Sequence, residues 1–161
     1  MNLPRTEILR YAGYRGKLDK VPPELSKRIE ELIASAPINP KSCWSEDEKQ
    51  VYLVGTIGAD FDRWQRKLAG LSATDNLLAQ AIGAAAIECV MDELETRLRS
   101  QVEVEGKTLE RRKSPGYGTM PLSLSTEILA KTDATHKIGV SLTSDCLLVP
   151  TKSVTAICRK N

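Results

Sequence analysis

The chain has a single histidine in 161 residues, four cysteines and an aromatic content of 4%. Each scarcity closes off a class of chemistry. The one imidazole, His136, and the cysteines at 43, 89, 146 and 158, none in a Cys-x-x-Cys spacing, leave a structural zinc site or an iron–sulfur cluster without a ligand set. So few aromatics make no platform for stacking bases. An excess of one charge is also missing. With 23 basic and 21 acidic residues the net charge is +2, too little for the basic face that phosphate binding needs. The local exception is Arg111, Arg112 and Lys113. No apolar run approaches the ~18–20 residues of a membrane helix. The opening Met-Asn-Leu-Pro-Arg-Thr-Glu has no apolar segment behind a basic cluster, which predicts no secretory signal and a cytoplasmic location. No Gly-x-Gly-x-x-Gly, no P-loop and no Gly-x-Ser-x-Gly around Ser125, Ser144 or Ser153 is found, so dinucleotide, P-loop and serine-hydrolase chemistry drop out.

What is present is an ordinary globular mixture, 41% apolar and 27% charged, of a length that fits one domain. The pattern divides it into a helical N-terminal arm, residues 1–40, and a sheet-and-helix core, residues 41–161. In the arm, Pro4 to Tyr14 reads as a short helix. Pro22-Pro23 opens a second helix to about Ala36, with Leu25, Ile29, Leu32 and Ile33 along one stripe. Residues 50–58 are β-branched and continuously apolar, which predicts an interior strand covered on both faces. Asp60 is placed to cap a helix carrying Phe61, Trp64 and Leu68 and closed by Gly70. The longest helix is expected from about Asp75 to Arg99. Ile87, Val90, Met91, Leu94 and Leu98 keep the 3.6 period, while Ala81, Gly83, Ala84, Ala85 and Ala86 leave room for a close neighbour, either another element or a ligand. Ser123 or Ser125 caps a helix to about Lys131, and strands follow at 138–142, 146–149 and 153–157. Reduced thiols are expected, with Cys89 and Cys146 in the core and His136 at the surface or in a turn. The order of elements predicts a single α+β domain, a twisted and mostly antiparallel sheet flanked by helices.

Two places carry candidate chemistry. Arg112-Lys113-Ser114-Pro115-Gly116-Tyr117-Gly118 can be neither helix nor regular strand, because proline fixes φ and the glycines free it. A guanidinium offers a planar fork for a carboxylate, glycine exposes backbone, and Tyr117 supplies a ring and a hydroxyl. Together they suit a zwitterionic ligand with a flat group, or simply a surface turn. Glu88 is the second place, at the flank of the long helix's buried face and near Ala84 and Asp92. It stands either to meet a ligand ammonium or as a solvated rim residue.

Several stretches read together resemble one family. They are Glu7-Ile8-Leu9-Arg10-Tyr11-Ala12-Gly13-Tyr14-Arg15-Gly16, the small-residue helix ending in Asp92-Glu93-Leu94-Glu95, the turn from Arg112 to Gly118, and Ile138 to Thr143 followed by Leu148-Val149-Pro150-Thr151-Lys152-Ser153-Val154. The chain is similar to the activation (reactivation) domain of cobalamin-dependent methionine synthase, in a short stand-alone form. The resemblance implies an accessory protein that binds S-adenosylmethionine. It would dock on a corrinoid (cobalamin) methyltransferase or methionine synthase core and support reductive methylation of cob(II)alamin, with electrons from flavodoxin or ferredoxin. No nucleic acid, membrane or metal of its own is implied, and no catalytic residue within the chain. By the same resemblance Arg112 holds the ligand carboxylate, Tyr117 lines the ligand and corrinoid side, Ser114 and Gly116 offer backbone to the adenosine, Glu88 is the helix glutamate of the site, and the small-residue face lies beneath the ligand. The family's further stretch after its Ser-Val strand, with a ligand-contacting tyrosine, has no counterpart here. That departure carries an alternative expectation, a module that caps a corrinoid partner without binding S-adenosylmethionine.

Overall fold

The computed structural model describes residues 1–161. Its frame is the sheet that β2 centres. β1 (Lys41–Glu46), β2 (Gln50–Thr56) and β5 (Ser153–Arg159) pair antiparallel in the order β1-β2-β5, with Leu53 opposite Trp44 on one side and Ala156 on the other. Alternation sends Val51 and Leu53 to one face, where Met91, Leu94 and Leu98 of the long helix meet them, and Tyr52 and Val54 to the other, against Ile128 and Leu129. β2 is therefore covered on both faces, as its unbroken apolarity predicts.

The long helix α4 (Ala73–Val104) is the spine. Ser72 caps it by accepting the Asp75 N–H at 3.2 Å, and Asp75 holds Arg28 of α2 (Pro23–Ser35) through two oxygens, at 2.9 and 2.6 Å. Its N-terminal half packs on α1 (Arg5–Tyr11), α2 and α3 (Ala59–Ala69), where Ala81, Ala85 and Ala86 lie in one core cluster with Ile8, Leu9, Ile29 and Phe61. Small residues here let helices approach closely. A Cβ on Gly83 would stand 2.7 Å from the Phe61 ring. Beyond α4 come α5 (Leu124–Thr132), α6 (Ala134–Ile138) and a two-stranded ladder of β3 (Ser141–Leu142) and β4 (Leu148–Val149). No helix is long and apolar enough to cross a membrane.

Several local expectations are corrected. β1, Lys-Ser-Cys-Trp-Ser-Glu, is a strand that the sequence pattern does not predict, because a partner edge on β2 recruits it despite its weak pattern. The first helix ends at Tyr11, before the left-handed Gly13. The N-cap of α3 is Gly58, and Asp60 sits inside the first turn, paired with Arg63. The long helix runs on to Val104, since Val102 still finds the core. Ser123 precedes α5 without a side-chain cap, and Ser125 lies within it. The predicted strand 138–142 forms only over Ser141–Leu142, because Ile138 closes α6 and Gly139 is left-handed, and 146–149 pairs only over Leu148–Val149. The buried thiols are Cys43 and Cys158, whereas Cys89 and Cys146 are half-buried, at the flank of α4 and in the β3–β4 turn. His136 is exposed and hydrogen-bonded to Asp133 at 2.7 Å.

Candidate functional site

The segment before the Pro-Gly turn runs antiparallel along β5 without forming a full strand. Thr108 and Asn161 exchange hydrogen bonds, the Glu110 N–H donates to the Arg159 carbonyl, and Lys113 and Ile157 exchange both of theirs at 2.9 Å. Leu109 stands opposite Lys160, but Lys113 stands opposite Ile157, so the register slips by one residue between the two bridges. That slip is a β-bulge at Arg111-Arg112. Leu109 faces α4 in the same cluster as Cys158, while Lys113 shares the opposite face with Ile157. Regular alternation would have turned Arg111 toward α4 and Arg112 away; the extra residue brings Arg112 onto α4 instead.

There three carboxylates wait at helical spacings of four and three, on one face of α4. The Arg112 Nη1 donates to Asp92 Oδ1 and Glu95 Oε2, both at 2.7 Å, and Nη2 donates to Glu88 Oε2 at 2.6 Å. The arginine side chain is only 11% exposed and Glu95 10%, against 45% for Glu88 and 67% for Asp92. Glu95 is further held by Arg99, whose Nη2 donates to it at 2.8 Å and whose Nη1 donates to the Leu109 carbonyl. Burial works against the charged guanidinium of Arg112, but hydrogen bonds to Asp92 and Glu95 and the nearby charge of Glu88 outweigh it and raise its pKa further. The basic patch expected at 111–113 is thereby divided, with Arg112 inside and its two neighbours exposed.

Beside this cluster opens a cavity of about 860 Å³, within the range of small-molecule sites. Glu88, Arg112, Ser114 and Tyr117 all border it, so the arginine and the tyrosine share one hollow. Tyr117 stands at its mouth, 77% exposed. Gly116 does not border the cavity. It holds the turn in the left-handed region at φ +89°, and its N–H is spent on the Met120 carbonyl at 3.0 Å. Of α4 only Glu88 reaches the cavity, so the small-residue face serves helix packing and does not floor the site.

The remaining wall comes from residues with no site signature of their own. Ser125 and Thr155 share a buried hydrogen bond at 2.9 Å. Ser153 donates to the Pro150 carbonyl at 2.7 Å and bonds Thr56 Oγ1 at 2.8 Å, and the Thr151 N–H donates to Asp62 Oδ2 at 2.8 Å. These bonds fix the loop after the cis Val149–Pro150 peptide against β2 and α3. Lys152 of that loop points away, toward Gln80 at 3.0 Å, and burial lowers its pKa. Asp92 and Glu95 are the site residues that sequence reasoning did not single out. Their spacing from Glu88 was visible, but the bulge that brings an arginine to them was not.

In class, then, the chain is one α+β domain with a side-open cavity between a sheet edge, a glycine-containing turn and a long helix. Among solved structures it is similar to the MetH reactivation domain, determined with AdoHcy bound, at a TM-score of 0.73 and 14% sequence identity, over 98% of this chain and 73% of that one. At that identity the likeness is one of fold. The sequence matches no family model and no curated protein.

Proposed function

We propose that this chain is an accessory protein that binds S-adenosylmethionine between Arg112 and Tyr117. In this reading it docks on a corrinoid methyltransferase and supports reductive methylation of its cob(II)alamin. The observation that carries the reading is the shared cavity. A guanidinium for the carboxylate and an exposed phenol for the flat group border one hollow of about 860 Å³, ample for a nucleoside bearing an amino-acid tail. A fold like that of a domain solved with AdoHcy supports it. Arg112 would hold the ligand carboxylate and Glu88 its ammonium. Ser114 would contact the adenosine through its backbone, Gly116 would only shape the turn, and Tyr117 would stand on the side left open to the corrin. The sulfonium supplies the methyl group, the corrinoid the acceptor, and a low-potential donor such as flavodoxin or ferredoxin the electron. The protein's part is to position them.

Calorimetry with S-adenosylmethionine and with AdoHcy tests this directly. Wild type should bind both. Arg112→Ala should lose roughly 1.5–3 kcal/mol, the value of a hydrogen bond to a charged group. Tyr117→Ala, at an exposed position that cannot threaten the fold, should weaken binding with unchanged stability. Absence of heat with either ligand would remove the cosubstrate half of the reading.

A second reading has one observation in its favour. Arg112 is already engaged by three carboxylates of its own chain, which suits a module that caps a corrinoid protein without an adenosyl ligand. Capture of a corrinoid partner with no adenosyl affinity would favour it.

A further inference from the structure

Arg112 is spoken for on two tiers. Its Nη1 has two hydrogens, and both are used, one on Asp92 and one on Glu95, at 2.7 Å each. The two acceptors differ in everything else. Glu95 is buried and shared with Arg99, whose other nitrogen is tied to the Leu109 carbonyl in the strand-like segment that carries Arg112. Releasing Glu95 would leave a buried carboxylate short of a partner, which is costly. Asp92 is mostly exposed, has no other salt-bridge partner and does not border the cavity. Water can replace the arginine there at little cost, because the Asp92 carboxylate is already two-thirds exposed to solvent. A ligand carboxylate bound through both ends of the fork needs an N–H from Nη1, and only Asp92 can yield it cheaply.

Resting on the reading of the cavity as an adenosyl amino-acid site, we propose that Glu95 is a positioning residue, holding Arg112 in place with or without ligand. Asp92 is a competitor that the ligand carboxylate displaces from the same nitrogen. The two carboxylates, three positions apart on one helix face, then act on affinity with opposite signs. A merely structural role for both predicts losses at both.

The experiment is calorimetry of the full chain with AdoHcy and with 5′-methylthioadenosine, which lacks the amino-acid tail, for wild type, Asp92→Asn, Glu95→Gln and Glu95→Asp. Asp92→Asn should bind AdoHcy about two- to fivefold tighter, the range of an exposed pair removed from competition. Glu95→Gln should bind it at least about tenfold more weakly, with partial recovery in Glu95→Asp. Neither substitution should move the affinity for 5′-methylthioadenosine. Unchanged or weaker AdoHcy binding in Asp92→Asn overturns the competitor role, and this holds even if Glu95→Gln fails to fold, since Asp92 is exposed. Full AdoHcy affinity in Glu95→Gln overturns the positioning role. Equal shifts for both compounds overturn both, because the substitutions would then be reshaping the cavity. A wild-type chain that binds neither compound is a different failure: it refutes the adenosyl reading itself and this inference with it.

Discussion

Replacing Gly83 by alanine adds one methyl group at a close contact between α4 and α3. Two effects oppose each other. In a helix interior, alanine is favoured over glycine by about 0.8–1.0 kcal/mol. Against this, the new Cβ would lie 2.7 and 3.0 Å from two ring carbons of Phe61 and 2.9 Å from Lys152 Cε, where ordinary carbon contacts need about 3.5–4.0 Å. The lysine is the softer neighbour, although it is half-buried and bonded to Gln80. Phe61 is not soft. Its ring is fully buried in the cluster that joins α1, α2, α3 and α4, with Trp64 at 5.2 Å centroid to centroid. Moving it by about an ångström is overpacking, which costs about 1–3 kcal/mol. Clash should outweigh propensity: about 1–3 kcal/mol against about 0.8–1.0 kcal/mol leaves Gly83→Ala destabilised by about 1 kcal/mol at mid-range, a fall in Tm of about 2–4 °C for a chain of this length. Urea denaturation followed by far-UV circular dichroism measures it. Phe61→Leu in the same chain should recover part of the loss, since the two sites share the contact. A Gly83→Ala chain as stable as wild type, or more so, would refute the claim that the small residues of α4 exist for close packing.

Two further outcomes concern a surface carboxylate and the thiols. Asp47 accepts hydrogen bonds from the Tyr52 hydroxyl at 2.7 Å and from the Lys49 and Gln50 N–H groups, which lower its carboxyl to about 2 from an ordinary 3.8. A folded pKa below the unfolded one gives stability that is present above the unfolded value and lost as pH falls through the folded one. The stability contributed by Asp47 should therefore drain away between about pH 4 and 2. Asp47→Asn should flatten that part of the curve, and parallel acid limbs for the two chains would refute it. For the thiols, burial pushes Cys158 up to about 12 and raises Cys43 as well. Iodoacetamide labelling read by mass spectrometry should modify Cys146 in the native protein and reach Cys43 and Cys158 only on unfolding. Rapid native labelling of Cys158 would contradict its place between β5 and α4.

What the sequence determined by itself is whatever depends on a strong local period or on a backbone constraint. The apolar run of β2, the stripe of α2, the repeat of α4 from Ile87 to Leu98 and the irregular turn around Pro115 and Gly116 are legible because neighbours in the chain alone impose them. So is the placement of Arg112 and Tyr117 on either side of that turn. Tertiary structure decided the rest. β1 has little pattern of its own and exists because β2 offers it an edge. Of the strand expected over 138–142 only Ser141–Leu142 pairs, since Ile138 is taken into α6 and Gly139 turns the chain. Cys43 and Cys158 are buried instead of Cys89 and Cys146, since depth depends on which face of which element is covered. The bulge at Arg111-Arg112 matters most for the site. Nothing in Arg-Arg-Lys says which arginine turns inward. Pairing with β5 at two different registers settles it, and one inserted residue carries a positive charge from solvent onto the three carboxylates of α4.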